Sequence, residues 1–93
     1  MKYIAWDVGK NEKLKRERGI SFEQAIDAIF SEGLINIFDH PNKQKYAHQK
    51  VFIVEMFEYA YIVPSVEDEE KIFLKTVIPS RKYTKKYLEK GNI

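Results

Sequence analysis

Hydrophobic and polar positions along the first part of the chain predict a short strand and a surface helix. Tyr3-Ile4-Ala5-Trp6 is typical of a strand. Asp7 can cap a helix over residues 8–18, and Gly19 suits the position that ends it. Apart from the first residue of this helix, Leu14 is its only apolar side chain, so we expect a thin contact with the core.

A second helix follows, and its apolar residues recur at helical spacing. Ser21 and Gln24 have the spacing of a capping box, in which each side chain bonds the other residue's backbone N–H. Gly33 is suited to ending the segment. The apolar stripe is Phe22, Ala25, Ile26, Ile29 and Phe30. We therefore predict the main core helix over residues 22–31.

Beyond the second helix the pattern changes to that of strands. Residues 34–38 predict a strand, and residues 39–49 form a polar segment typical of a loop. Residues 50–57 and 59–66 are rich in β-branched and aromatic side chains and have almost nothing between them. They predict a tight hairpin around Glu58.

The last third of the chain predicts one more strand and a closing helix. Pro64 cannot donate to a strand ladder, so its strand should be bulged or at an edge there. The acidic run at residues 67–70 predicts a turn before a strand over residues 71–78. Ser80 can cap a final helix over residues 81–90.

The predicted order is β-α-α-β-β-β-β-α, which favours an α+β fold. Consecutive strands with short connections pair antiparallel, so we expect an antiparallel sheet packed against helices. The length of 93 residues predicts a single domain, residues 1–93.

Composition narrows the function classes. The chain has no cysteine, which excludes a disulfide framework, a thiolate zinc site and a cysteine nucleophile. No stretch approaches the ~20 apolar residues of a membrane span, so we expect a soluble, cytoplasmic protein without membrane contact. No glycine-rich phosphate-binding motif is present, and we predict no cofactor.

Charge is unevenly distributed along the chain. The net charge is only +2, but residues 10–18 hold five basic side chains and residues 67–70 are an unbroken acidic run. Such asymmetry favours a polyanionic partner at one face. The acidic run has two interpretations, a solvated turn or a contact with a basic partner.

The predicted C-terminal helix interleaves basic side chains with two tyrosines. These residues are Arg81, Lys82, Tyr83, Lys85, Lys86, Tyr87 and Lys90. Ser80, the first backbone N–H groups, Arg81 and Lys82 together would hold a phosphate well. Tyr83 and Tyr87 would offer stacking faces to unpaired bases. The alternative is a solvated lysine-rich helix whose tyrosines pack on the sheet.

Two further positions are candidates for chemistry. His40 and His48 in the polar loop could transfer protons near neutral pH, or could be incidental surface residues. Apart from Asp39 they lack acidic neighbours at ligand spacing, so we predict no metal site. Lys10 could line a groove beside the final helix, although Asp7 and its neighbours also fit a purely structural role.

Three segments together resemble the BrnT family, toxins of type II toxin–antitoxin modules with a RelE-like fold. They are Trp6-Asp7 with Lys10, the segment from Gly19 to Ala25, and the junction ending in Arg81-Lys82. The resemblance spans about residues 4–88. It implies a metal-independent endoribonuclease that inhibits translation. It also implies a ribbon-helix-helix antitoxin that neutralises the toxin, with promoter DNA bound through their complex.

By position, the resemblance implies that Arg81 and Lys82 clamp the scissile phosphate and that Lys10 is a supporting cation. Ser80, Lys85 and Lys86 would add to RNA binding. The family usually has Asn, His and Glu at the positions that hold Leu14, Arg18 and Tyr87 here. Proton transfer would then fall to Tyr83, Tyr87 or His48. The alternative is a weakened or inactive protein that binds antitoxin or RNA on the same fold.

Overall fold

One mixed β-sheet forms the centre of the molecule, with helices on both of its faces. The computed structural model describes residues 2–39 and 48–89. The elements are β1 (Tyr3–Ala5), α1 (Val8–Arg18), α2 (Phe22–Ile29), β2 (Leu34–Asp39), β3 (Gln49–Met56), β4 (Tyr59–Glu67), β5 (Lys71–Leu74), β6 (Ile78–Pro79), α3 (Arg81–Tyr83) and a π-helical turn (Thr84–Leu88). We refer to α3 and the π-helical turn together as the C-terminal helix. The α+β class is confirmed.

The sheet has the order β1-β5-β4-β3-β2, and β6 pairs with β4 beyond the end of β5. Strands β2 to β5 pair antiparallel with their neighbours in the chain, as predicted. Strand β1 instead pairs parallel with β5, with Tyr3 opposite Lys71, so the prediction of a purely antiparallel sheet was wrong. Short connections force antiparallel pairing, whereas a parallel pair needs a long crossover. Here everything from α1 to β4 supplies that crossover.

Both long helices begin as their sequence predicts. The Asp7 carboxylate accepts the backbone N–H of Lys10, and Gly19 ends α1 with a left-handed φ of 67°. Ser21 and Gln24 form the complete capping box at the start of α2. The second helix ends at Ile29, two residues before the predicted limit.

The hydrophobic core lies between α2 and one face of the sheet. Phe22 and Ala25 of α2 are fully buried, as are Val54 and Val63 of the central strands. Leu14 is buried in the same cluster, which gives the polar helix α1 its thin contact with the core. Removing such side chains from water is the main term that stabilises a domain of this size.

A two-residue turn joins β3 and β4. Phe57 and Glu58 both have left-handed φ angles, 55° and 62°. This is the arrangement of a type I′ turn, whose twist matches that of the flanking strands. The predicted tight hairpin is therefore confirmed, although neither residue is a glycine.

Pro64 interrupts one side of β4. Its carbonyl oxygen accepts the Lys75 backbone N–H at 2.8 Å. In a strand the nitrogen and oxygen of one residue point to the same side, so the proline ring faces β5 and β6. The predicted strand over residues 71–78 is accordingly divided, because residues 75–77 leave the sheet before β6 begins. The strand β4 is central rather than at an edge.

The C-terminal helix lies on the sheet face opposite α2. In β2, Ile37 lines a cavity on the α2 side, and the next residue, Phe38, contacts Tyr83 of this helix. Thr84 fixes the helix to β4, since its hydroxyl oxygen accepts the Ala60 N–H at 2.9 Å and its hydroxyl donates to the Ser80 carbonyl at 2.7 Å. The prediction of a helix over residues 81–90 runs past the described residues, which end at Glu89.

Candidate nucleic-acid interface

Three aromatic rings form a ladder between β2 and the C-terminal helix. The Phe38 and Tyr83 ring centroids lie 6.1 Å apart, with 24° between the ring planes. Those of Tyr83 and Tyr87 lie 5.9 Å apart, also with 24° between planes. We call Phe38, Tyr83 and Tyr87 the aromatic ladder. All three residues are half-buried.

Two lysines lie over rings of the ladder. The Lys82 Nζ is 5.5 Å from the Tyr83 ring centroid, and the Lys86 Nζ is 5.4 Å from that of Tyr87. Both distances fall within the range of cation–π attraction. Because both lysines are exposed, their charges are also open to solvent and to an anionic ligand. We call the ladder with Lys82 and Lys86 the basic–aromatic surface.

The spacing of the C-terminal helix brings these groups onto one side. Tyr83 and Tyr87 are four residues apart, as are Lys82 and Lys86, so each pair lies about one helical turn apart. The π-helical turn includes Tyr87, and the Glu89 N–H bonds the Thr84 carbonyl at 3.2 Å. Such turns within helices often occur at functional sites.

The remaining polar candidates on this helix have different environments. Ser80 is buried: its hydroxyl oxygen accepts the Tyr83 N–H at 3.2 Å, and its own N–H bonds the Ala60 carbonyl at 2.9 Å. Arg81 and Lys85 are exposed to solvent. The geometry therefore makes Ser80 a helix cap held inside the molecule, with the arginine beside it free to reach a ligand.

His48 lies far from the start of the C-terminal helix. It lines a cavity of about 480 Å³ with Lys2, Lys50 and Glu67 at the other end of β4. Seven residue steps along β4 separate the Ala60 contact with Ser80 from the Glu67 contact with His48. At ~3.3 Å per strand residue, this separation from the start of the helix is about 23 Å. The Phe38 end of the ladder is nearer, because Phe38 lies opposite Val51, which is three residues or about 10 Å along the strand from His48. The structure thus brings Tyr83 and Tyr87 together and leaves His48 apart from them; His40 lies outside the described residues.

An ion-paired glutamate accounts for the electrostatics of the His48 cavity. A hydrogen bond from the Lys2 ammonium, together with the charges of Lys2 and Lys50, holds the pKa of Glu67 below its ordinary value, against the smaller effect of desolvation. The Lys50 Nζ lies 3.8 Å from the Glu67 carboxylate. These contacts stabilise the sheet end without needing a ligand.

Lys10 lies in another cavity, on the same sheet face as the ladder. This cavity measures about 530 Å³, and its other lining residues include Phe73 and Lys75. Lys10 is exposed on the first turn of α1. The structure therefore associates Lys10 with β5 rather than with a contact to the C-terminal helix.

Each of the three residues that depart from the BrnT pattern, Leu14, Arg18 and Tyr87, makes defined contacts within the fold. Leu14 is part of the core. Arg18 donates from Nη1 to the Val77 carbonyl at 2.8 Å and so ties α1 to the segment before β6. Tyr87 belongs to the aromatic ladder, and its hydroxyl oxygen lies 3.4 Å from the Asn36 Nδ2.

Sequence reasoning missed the contribution of β2 to this interface. Asn36 and Phe38 lie two residues apart on one strand, so they share the face covered by the C-terminal helix. The alternation of residues 34–38 could have placed them on one face. It could not have identified Tyr83, 45 residues later in the chain, as the partner of Phe38.

Among residues 2–39 and 48–89, no group of three or more His, Cys, Asp or Glu side chains could hold a metal ion. Over the same residues, every helix is too short or too polar to cross a membrane. Comparisons with protein-family models, curated proteins and solved structures found no match to this chain.

Proposed function

We propose that this protein binds single-stranded RNA on the basic–aromatic surface and is the toxin of a type II toxin–antitoxin module. The supporting observation is the ladder of Phe38, Tyr83 and Tyr87 with lysine ammonium groups 5.5 Å and 5.4 Å from two of its rings. Stacking faces beside exposed cations are the usual means of holding single strands. The resemblance to BrnT toxins on a RelE-like fold adds cleavage of RNA and a ribbon-helix-helix antitoxin as partner.

In the proposed reaction the protein cuts RNA without a metal ion. The ribose 2′-oxygen attacks the adjacent phosphorus, and the bond from phosphorus to the 5′-oxygen breaks. The attacking hydroxyl loses its proton, and the leaving oxygen gains one. Negative charge grows on the phosphate oxygens, and Arg81 and Lys82 are the exposed cations beside the ladder that would stabilise it. The Tyr83 and Tyr87 hydroxyls of the ladder are the candidates for proton transfer.

A second candidate function is RNA binding without cleavage. The separation of about 23 Å between His48 and the start of the C-terminal helix favours it, because the histidine cannot serve a phosphate held there. Among the candidates that the structure describes, proton transfer then depends on Tyr83 and Tyr87, and the Tyr87 hydroxyl already faces the Asn36 amide. On this alternative the chain retains its RNA surface and its partner, but it does not turn substrate over.

Expression in bacteria, with purified protein in parallel, separates the two functions. The toxin proposal expects that the parent arrests growth and cuts RNA, and that Arg81→Ala does neither. Arg16→Ala is the matched control, because Arg16 is an exposed arginine on α1. A harmless parent that binds RNA without cutting it would support the second function. An Arg81→Ala variant as toxic as the parent would exclude the proposed phosphate clamp.

A further inference from the structure

A cavity next to β5 is lined by charged, polar and aromatic side chains. It has a volume of about 530 Å³. Its lining residues are Asp7, Lys10, Pro64, Phe73, Lys75 and Thr76. The volume falls within the range of small-ligand pockets, roughly 300–1,000 Å³.

The cavity exists because the sheet is interrupted beside Pro64. With no N–H to donate, Pro64 cannot continue the ladder toward β5, and its carbonyl alone bonds Lys75. Residues 75–77 then leave the sheet before β6 pairs with Tyr61 and Ile62. The opening lies between this departing segment and the start of α1, which contributes Asp7 and Lys10.

The lining groups suit the three parts of a nucleoside phosphate. Lys10 and Lys75 supply two cations for the phosphate group. The Phe73 ring offers an apolar surface for a base. The Asp7 Oδ1 caps α1 by accepting the Lys10 N–H at 2.8 Å, which leaves Oδ2 able to accept from a ribose hydroxyl or a base amino group. A simple anion would use the lysines only.

Strand register connects this cavity to the aromatic ladder. Phe38 lies opposite Val51, and Val51 lies opposite Pro64, so one row crosses β2, β3 and β4. Phe73 belongs to the next strand and faces the same side, because its neighbours Ile72 and Leu74 pack against the core on the α2 side. Three strand spacings of ~4.8 Å put the ladder and the cavity about 14 Å apart. That corresponds to about four steps of ~3.4 Å along a stacked nucleic-acid strand.

We propose that this cavity binds a nucleoside phosphate, with the phosphate between Lys10 and Lys75 and the base against Phe73. Within the RNA-binding function proposed above, on which this part of the inference rests, the occupant is one nucleotide of the strand held by the ladder. A free nucleotide has the same chemistry, so the test compares a mononucleotide with RNA chains of two lengths.

The first measurement uses adenosine 5′-monophosphate and the whole protein. Backbone amide resonances of Phe73, Lys75 and Thr76 are expected to shift on titration in NMR spectra, and those of the C-terminal helix less. Lys75→Gln should weaken this binding about tenfold, since it removes one of two phosphate cations. Phe73→Leu retains apolar bulk but removes the ring, and should also weaken it. Lys13→Gln, an exposed lysine of α1 outside the cavity, is the control.

The second measurement compares a labelled RNA octamer with a trimer by fluorescence anisotropy. The octamer can span both sites, whereas the trimer is too short to do so. Lys75→Gln is expected to reduce octamer affinity about tenfold and trimer affinity less than twofold. Lys82→Gln combined with Lys86→Gln should weaken both RNAs, because both then lose the ladder cations.

The outcomes distinguish failure of the cavity proposal from failure of the proposed RNA-binding function. If Lys75→Gln and Phe73→Leu bind the mononucleotide and the octamer as the parent does, the cavity proposal is overturned. RNA binding that still depends on Lys82 and Lys86 would then uphold the surface alone. If the parent binds no RNA but the mononucleotide shifts the cavity amides, the nucleotide site is supported and the RNA function fails.

Discussion

The Asn11 side chain accepts the Phe22 backbone N–H at 2.8 Å and so joins α1 to the first turn of α2. Its Nδ2 donates to the Glu23 carboxylate at 2.8 Å. Asn11 is 5% exposed, and both ends of its amide are satisfied. This one side chain therefore adds a polar connection between two helices that also meet in the core through Leu14.

Replacement of Asn11 with alanine should destabilise the protein. The Phe22 N–H would lose its partner in a buried position, which typically costs about 1–3 kcal/mol. Urea unfolding followed by circular dichroism measures the change. Lys13→Ala, at an exposed position of the same helix, should stay within about 0.5 kcal/mol of the parent. Equal stability of the two variants would contradict the role assigned to Asn11.

Thr84 should be the main polar attachment of the C-terminal helix. Thr84→Val keeps the shape but removes the acceptor of the buried Ala60 N–H, so we expect a loss of about 1–3 kcal/mol. Thr84→Ser retains the hydroxyl and should lose less. Hydrogen exchange at Ala60, expected to accelerate in the valine variant alone, gives a local readout. Unchanged exchange there would show that the hydroxyl does not protect this amide.

Glu67 should make stability depend on pH. The hydrogen bond from Lys2 and the charges of both lysines lower the pKa of Glu67 in the folded state below the ordinary 4.5. A lowered folded pKa contributes stability above the unfolded value, and this contribution disappears as pH falls through the folded pKa. Glu67→Gln should therefore be less stable than the parent at about pH 7, and the difference should shrink towards about pH 3.

Urea midpoints across that pH range measure the effect. Glu69→Gln is the control, because the described residues include no ion pair to Glu69 although it lines the same cavity. A constant difference between parent and Glu67→Gln at every pH would refute the linkage. A stability difference that grows as the pH falls would contradict the predicted direction of the pH dependence.

Substitutions of the ladder tyrosines separate stacking from proton transfer. If Tyr83 stacks a base, Tyr83→Phe should bind RNA like the parent, whereas Tyr83→Ala should lose about 5- to 150-fold, from ~1–3 kcal/mol per stacked base. If a tyrosine hydroxyl transfers the proton, Tyr83→Phe or Tyr87→Phe should bind RNA normally but cut it slowly. Binding and single-turnover cleavage measured on the same RNA give both readouts. If Tyr83→Ala binds RNA as the parent does, the aromatic ladder is not part of the RNA-binding site.

Salt dependence gives a further measure of the phosphate contacts. The proposed phosphate contacts are Lys82 and Lys86 of the basic–aromatic surface and the neighbouring Arg81, all of them exposed. Three phosphate contacts predict that the logarithm of the RNA association constant falls with the logarithm of salt concentration with a slope of about −2. Lys86→Gln should reduce the slope by about 0.7. Affinity that hardly changes with salt would be incompatible with phosphate binding here.

The sequence predicted correctly those parts of the structure that are formed by residues close together in the chain. The Asp7 cap, the left-handed Gly19 and the Ser21–Gln24 box depend on residues a few positions apart, and α1 and both helix starts follow from them. The hairpin also follows, because its strands are adjacent in the chain. These contacts need no knowledge of the rest of the fold.

Contacts between residues far apart in the chain could not be predicted from the sequence pattern. Asn11 occurs in a helix that is polar almost throughout, so its burial depends on where α2 packs. The Phe38 contact with Tyr83 joins residues whose sequence neighbourhoods contain no sign of each other. Pro64 did predict the break in the hydrogen bonds between β4 and its neighbour, but not the cavity that forms beside that break.

The parallel pairing of β1 with β5 has a consequence for how the chain acquires its structure during synthesis. Tyr3, Ile4 and Ala5 are synthesised almost seventy residues before their partners Lys71, Ile72 and Phe73. Until β5 has been synthesised, β1 has no strand to pair with, and the hairpin of β3 and β4 can form before β1 joins the sheet. Contacts this distant in sequence slow folding, because a long loop must close first. A nascent chain stalled before Lys71 would therefore present an unpaired strand to chaperones and proteases.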